Sequence, residues 1–534
     1  QVRYLDSLAN QEIPKVEIPS AEIAEKEAFR SRLEAICRQA LANGYSGDIA
    51  TISLVGFGSL VSGFATPGSD MDLAIVPAWK DPAKAASNFS QIGPEIPRLL
   101  EKALMDAKFG VRLLTKTRVP ILKVCENPSE ELYTALCEER RKWDDLPDEE
   151  KYPPSPSLKA QDEPPKASSD VDGQKTYPSI HHHHHHHHHH SVSGPKGPRP
   201  DTDTKAPNEA KDEAQKSVKS VGTPDSFQDS NNNGNQQTRP HHEKHWFREK
   251  VLGPLDFPKF GVGIQCDINF SNPLALHNTH LLRCYSLCDP RVRPMVLFVK
   301  SWAKRRKINS SYSGTLSSYG YVLMVLHYLV NVAYPPVCPN LQLCWRAPTN
   351  AEEFAREMRE TTIEGYSVRF WRNEAEIMAR ARAGELTQNN QSLGALLRGF
   401  FAYFASSPGP RNPQSGYGPP SFIWTSEVLS LRTPGGILKK HAKGWTGAKS
   451  TIVNGKEVRH RYLFAIEDPF EWDHNVGRTV QHHGIVAIRD EFRRAWRILQ
   501  AVAWEREPEG GLFDEVVEPA PVVKRERPRA ETEM

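Results

Sequence analysis

The sequence predicts an α+β chain, a small mixed sheet with helices followed by a larger, mainly helical unit, and three observations carry that expectation. Short runs of β-branched and aliphatic residues crowd the first 125 positions and recur once near residue 265. From Asn278 to about Trp504, apolar residues return at helical spacing instead. Between them, from about Arg140 to Lys244, the chain is rich in Pro, Ser, Asp, Lys and Asn, with almost no aliphatic periodicity. Such a segment buries too little apolar surface to offset its conformational entropy, so it reads as a disordered insert splitting the sheet unit.

Taken in order, Ala21 to Leu41 spaces Ile23, Ala28, Leu33, Ile36 and Leu41 as one helix face. Thr51 to Phe57 and Met71 to Val76 read as strands, as do the runs starting at Val111 and Val119. Gly263 to Phe270 alternates and supplies one more strand after the insert. Pro294–Lys307, Tyr319–Val332 and Leu393–Phe404 read as helices. The expected organisation is a helical segment over 1–50 packing on the core, a sheet unit over 51–125 and 260–276, and a largely disordered insert over 126–259. A central helical unit over 277–505 and a disordered tail over 506–534 complete it, with a cleft between the two folded units.

Composition narrows the function classes. The 42 prolines are close to 8% of 534 residues against an average of about 5%, and the excess belongs largely to the insert and the tail. A net charge of +3 from 68 basic and 65 acidic residues excludes a wholly polybasic nucleic-acid binder but not a local basic groove. The eight cysteines form no CxxC pair and no zinc spacing, which points to thiols in a reducing compartment. The most apolar stretch, Tyr319 to Ala333, is too short to span a bilayer, so no membrane is expected. No signal peptide is visible, and Gln1 reads as a trimmed start. The ten histidines His181 to His190 read as a low-complexity tract or an added tag.

The densest chemical signal is Gly56-Phe-Gly-Ser-Leu60 followed by Asp70-Met-Asp72. On a strand, positions i and i+2 point the same way, so Asp70 and Asp72 present two carboxylates on one face. Two such groups repel unless a cation lies between them, and Mg²⁺ suits that place because one or two carboxylates and substrate phosphates hold it. If a helix begins after Gly58, its free N–H groups and the Ser59 hydroxyl can receive phosphate oxygens. The bland alternative is a turn with an acidic lip. Asp267, charged on a short apolar strand, is the candidate third carboxylate. Read alone, it fits a solvated edge residue equally well.

The run GFGSLVSGFATPGSDMDLAIV resembles the signature of the DNA polymerase β-like nucleotidyltransferases. The segments CDINFSNPLALHNTHLL, DPRVRPMVLFVKSWAKRRKI and GTLSSYGYVLMVLHYL narrow the resemblance to RNA-specific terminal nucleotidyltransferases. SLGALLRGFFAYFA and IEDPFEWDHNVGRTV are similar to that family's poly(A)-polymerase-associated region and nucleotide-recognition motif, in the look of the caffeine-induced-death type of cytoplasmic poly(A)/poly(U) polymerases. The long insert before Asp267 departs from the family pattern.

The resemblance implies a polymerase-β-like catalytic domain with two Mg²⁺ (or Mn²⁺) ions held by Asp70, Asp72 and Asp267, the last also deprotonating an RNA 3′-hydroxyl. It implies triphosphate contacts from Gly58, Ser59, Lys300, Lys304 and Ser318, and a base stacked on Tyr319. Asn278 and Thr279 are expected to open a helix, as cap or as ribose contacts. Asp468 and Glu471 match the acids lining the base edge, and His474 stands where uridylyl-adding relatives carry histidine. Lys116, Arg118, Arg432 and Lys439 are candidate RNA-phosphate contacts, with solvated surface cations as the plain alternative.

The implied protein adds UMP, with some AMP, to single-stranded RNA 3′ ends, UTP or ATP being the substrate; a cytoplasmic location, with the nucleus as the alternative, and a monomer are expected, although no sequence feature reads out oligomeric state. A poly(A) polymerase preferring ATP is the rival within the class. A dead RNA-binding scaffold and a small-molecule nucleotidyltransferase are the rivals outside it. His474 narrows the base pocket, so His474→Asn shifts use toward ATP, read as the ratio of UTP to ATP incorporated; an unaltered ratio removes His474 as selector.

Overall fold

The computed structural model describes residues 1–85, 92–117, 120–152, 248–405, 420–453 and 456–518. Two helices open the chain, α1 (Val2–Val16) and α2 (Ser20–Gly44). Strand β1 (Ile49–Phe57), the single helical turn Ser59–Ser62 and strand β2 (Met71–Trp79) follow, then helix α3 (Glu95–Asp106) and the hairpin β3 (Gly110–Leu114) and β4 (Ile121–Cys125). Helix α4 (Glu130–Asp144) leads into residues 153–247, which lie outside the described residues together with the expected poly-His run. Strand β5 (Gln265–Phe270) then enters the sheet, whose order is β1-β2-β5-β4-β3.

β5 is the central strand, parallel to β2 and antiparallel to β4. Central strands are covered on both faces, which is why Cys266 through Phe270 are all buried. Phe29, Leu33, Cys37 and Leu41 of α2 pack with Leu100 and Leu104 of α3 on the sheet to form one core.

The second core is helical: α5 (Pro273–Cys288), α6 (Val292–Arg305), α7 (Ser318–His327, continued by a π turn to Val332), α8 (Leu393–Ala405) and α9 (His482–Ala503). Short strands Glu427–Ser430, Ile437–Lys439 and Ile466–Glu467 make a small sheet within it, where the apolar spacing alone reads as helix.

Three boundaries differ from the sequence expectation. The expected insert over 126–259 begins with the ordered α4, capped by the Ser129 hydroxyl and holding Leu132 and Leu136 in the sheet core. Two leucines one turn apart suffice to dock a helix that otherwise reads as a run of charges. The tail expected to be loose from 506 instead buries Leu512 and Phe513 in the helical core, the Phe513 ring 4.8 Å from that of Phe298. The N-terminal segment also divides, because Leu5, Ala9 and Ile13 of α1 join the helical core while α2 covers the sheet.

The two units are joined just after the Ser59–Ser62 turn. Phe64 inserts its ring into the helical core. Three cations of that core read the adjacent backbone: Arg283 donates to the Val61 carbonyl (3.3 Å), Arg293 to Gly63 (2.9 Å) and Lys300 to Phe64 (2.6 Å). Phe64→Ala is expected to cost about 3–5 kcal/mol in denaturant unfolding, whereas Val61→Ala, at an exposed position of the same turn, costs under about 0.5 kcal/mol.

Candidate functional site

Strand register builds the acidic centre. Asp72 on β2 lies opposite Asp267 on β5 in the parallel ladder, so both side chains leave the same face, strands being about 4.8 Å apart. Asp267 is in turn opposite Lys123 on β4, and the Lys123 ammonium sits 3.6 Å from the Asp267 carboxylate. Both acids are buried, while Asp70, just ahead of β2, is exposed. Gly58 closes the other side: at φ +76° its backbone favours glycine, and a Cβ there would stand 2.4 Å from Asp72 Oδ2.

All of this faces a cleft of about 1500 Å³ lined by residues of both units. Among the residues the sequence singles out, Gly58, Ser59, Asp70, Asp72, Asp267, Asn278, Thr279, Lys300, Lys304, Ser318 and Tyr319 line it. Asn278 and Thr279 do not open a helix: α5 begins at Pro273 with the Asn272 side chain as its cap, which puts both residues in its second turn. There the Thr279 hydroxyl accepts the Gly58 N–H at 3.0 Å, tying α5 to the Gly-Ser turn. The expected helix at Ser59 is a single turn. Lys300 is buried, and desolvation followed by repulsion from Lys304 lowers its pKa to about 8. Lys304 is exposed along the cleft, with Lys259, Asp70 and Glu249 as its charged neighbours.

Asp468, Glu471 and His474 are not on the cleft lining; Asp468 is one hydrogen bond removed from it. Asn278 Nδ2 donates to the Tyr319 hydroxyl at 2.5 Å, and that hydroxyl donates to Asp468 Oδ2 at 2.8 Å. The other Asp468 oxygen accepts the Phe470 and Glu471 N–H groups, both at 2.9 Å, folding the following loop inward. His474 closes that loop, its N–H donating to the Glu471 carbonyl at 2.9 Å. Glu471 and His474 are buried, and burial, with Arg478 and His460 adding to it, holds the His474 imidazole well below its ordinary pKa and therefore neutral.

The candidate RNA cations are placed differently. Arg432 pairs with the buried Glu467, which also accepts from Ser430 (2.7 Å) and from Lys443. Lys439 pairs with Glu427 at 3.4 Å, Lys116 is exposed outside the cleft lining, and Arg118 lies outside the described residues. Arg432 thus reads as a support of the loop beside Asp468, since Lys443 also donates to the Trp472 carbonyl. Sequence reasoning missed Lys123 and Glu467. Lys123 carried a usable signal, a charge on a short apolar strand, the same signal that picked out Asp267; Glu467 carried none apart from adjacency.

Among the described residues no group of three or more His, Cys, Asp or Glu side chains gathers closely enough to cage a metal by itself. The donor set still fits Mg²⁺, which takes one or two carboxylates and completes its octahedron with water and substrate phosphates. No helix among the described residues is long and apolar enough to cross a membrane.

Parts of the chain are similar to known proteins. The family described as "Poly(A) RNA polymerase, mitochondrial-like, central palm domain" matches residues 5–137, and that described as "Cid1 family poly A polymerase" matches residues 392–474. The chain is 42% identical over 273 residues to terminal uridylyltransferase cid1 of Schizosaccharomyces pombe, 51% of this chain and 58% of that protein. It is 32% identical over 237 residues to poly(A) RNA polymerase cid13 of the same organism, 44% of this chain and 34% of that protein. These alignments therefore span less than two thirds of either curated relative. A solved structure of Cid1, described as an RNA terminal uridylyl transferase, superposes with a TM-score of 0.57 at 28% identity, covering 97% of this chain and 99% of that one.

Burial raises the pKa of Asp468 to about 6, against the lowering pull of the Glu471 and Phe470 N–H groups and the Tyr319 hydroxyl. Its folded value lies above the unfolded one near 4, so its contribution favours folding at low pH and is lost as pH rises through 6. Unfolding free energies measured from pH 4 to 7 should therefore show wild type losing, relative to Asp468→Asn, on the order of 3 kcal/mol across that window.

Proposed function

We propose that this chain, similar over parts of its length to the Cid1 family of poly(A) polymerases and to terminal uridylyltransferase cid1, adds UMP from UTP to the 3′ ends of single-stranded RNA without a template. The observation that carries the reading is the in-register pair Asp72 and Asp267, with Asp70 beside it, on the floor of a cleft that Lys300, Lys304, Ser318 and Tyr319 line from the other unit. Asp70, Asp72 and Asp267 would hold Mg²⁺ (or Mn²⁺). Bound there, the ions would neutralise the triphosphate and polarise the attacking and leaving oxygens.

The protein's own groups do the rest. Asp267, on the central strand, receives the proton of the RNA 3′-hydroxyl. That oxygen forms its bond to the α-phosphorus as the bond to the bridging oxygen breaks, and pyrophosphate leaves. Lys304 and the Ser59 and Ser318 hydroxyls meet the phosphates, and Lys300, turned toward the Phe64 carbonyl, holds the Gly-Ser turn beneath them. Tyr319 offers its ring to the base while its hydroxyl stays fixed between Asn278 and Asp468. His474, neutral and buried behind Asp468, is the residue to which the proposal assigns the preference for uracil. The described cysteines are all free thiols, in keeping with a reducing, cytoplasmic setting.

The second reading, a poly(A) polymerase preferring ATP, has in its favour the similarity to cid13. Incubating the chain with labelled oligo(A), Mg²⁺ and each nucleotide separately decides between them: UTP is expected to extend the acceptor best, and extension by ATP alone overturns the uridylyl assignment. Asp72→Ala is expected to lower incorporation by at least about a thousandfold while oligo(A) binding, read by fluorescence anisotropy, persists.

A further inference from the structure

The return from residues 153–247 crosses the rim of the cleft as a strap over 248–264, fixed to both units. At its start the Arg248 N–H donates to Glu518 (2.9 Å), the Arg248 guanidinium pairs with Glu491 (3.0 Å), and the Lys250 N–H donates to the Ser313 hydroxyl (3.1 Å), all on the helical side. At its end Asp256 pairs with Arg112 (2.7 Å), Gln265 donates to the Pro258 carbonyl (2.6 Å), and the Val262 and Ile264 carbonyls accept from Asn127 (2.8 Å) and Glu126 (2.9 Å) on the sheet side. Leu255, Phe257 and Val262 pack into the sheet core. Between these anchors stands Phe260, 87% exposed and lining the cleft, with Leu252, 49% exposed, on the same lining. The strap is anchored on both sides of this ring, so its exposure belongs to a fixed segment.

Lys259, the residue before Phe260, and Lys304 and Lys307 share the cleft lining with it; Glu249 serves Lys259 (3.2 Å) and Lys307 (4.0 Å), and Asp70 and Glu126 lie on the same lining. Asp256 is engaged by Arg112. An exposed aromatic face among lysines is the combination that holds single-stranded nucleic acid, the ring stacking on a base of any identity and the cations following the backbone. Phe260 also stands only seven residues ahead of Asp267, at most about 24 Å of chain. The turns at Gly261 (φ +88°) and Gly263 (φ +72°) shorten that reach.

We propose that Phe260 is the platform on which a base near the 3′ end of the acceptor RNA stacks, so that the strap, and not the nucleotide pocket, reads the acceptor. The proposal rests on the nucleotidyltransferase reading above. It assigns Phe260 no part in the choice between UTP and ATP.

The test compares KM for oligo(A) with KM for the same oligomer made abasic at one 3′-proximal position at a time, UTP being saturating. Wild type should show KM raised roughly tenfold by removal of one particular base. Phe260→Ala should raise KM for intact oligo(A) by a similar factor yet no longer distinguish intact from abasic acceptor, and Phe260→Trp should restore the distinction. The KM for UTP should move less than about twofold, and thermal melting of both variants should match wild type, as an exposed ring requires. The proposal is overturned if Phe260→Ala matches wild type on intact oligo(A), or if it weakens intact and abasic acceptors by the same factor, the result expected of a ring that packs on the protein itself. A wild-type chain that transfers no nucleotide overturns the parent reading instead.

Discussion

Two carboxylates held on neighbouring strands in the same register set the terms for everything else in this molecule. Asp72 and Asp267 are each buried, each on an interior strand, and separated by only the spacing of a sheet. Left alone, such a pair would protonate or push apart. Lys123 meets Asp267 from β4, Gly58 leaves room for Asp72 where any side chain would collide, and the open side faces the cleft. The rigidity of the sheet is what makes the repulsion usable, because neither strand is able to slip without turning its whole core face outward.

The helical unit reaches the acidic pair through backbone atoms. Arg283, Arg293 and Lys300 hold three carbonyls around the Gly-Ser turn, Thr279 accepts the Gly58 N–H, and Phe64 plugs the turn into the helical core. A second path runs from Asn278 through Tyr319 to Asp468 and the loop ending at His474. Arg283 and Thr279 on the first path and Asn278 on the second all stand on α5, which follows β5 directly, so one element ties both paths to the sheet.

Much of this was legible in the sequence, and the rest has identifiable reasons for having been hidden. The strands carrying Asp72 and Asp267 stand out because short apolar runs interrupted by an acid are costly unless the acid has a task. What the sequence does not contain is register: the facing of Asp72 and Asp267 depends on β5 entering between β2 and β4, a choice made by tertiary packing. The same holds for Arg432, which reads as a free surface cation until the fold places the buried Glu467 beside it. Helix α4 and the Leu512–Phe513 anchor were missed because two apolar residues among charges fall below any periodicity signal, though two buried side chains are enough to dock a segment.

The central place of β5 has a consequence for how the chain is made. On the ribosome β2 and β4 emerge early, but the strand that belongs between them follows β4 by roughly 140 residues. At about 5–20 residues per second, that leaves two hydrogen-bonding edges unpaired for something like ten seconds. Strand edges of that kind are templates for joining another chain. The nascent protein therefore passes through a window in which its own central strand competes with neighbouring polypeptides, and the length of the segment before β5 sets how long the window stays open.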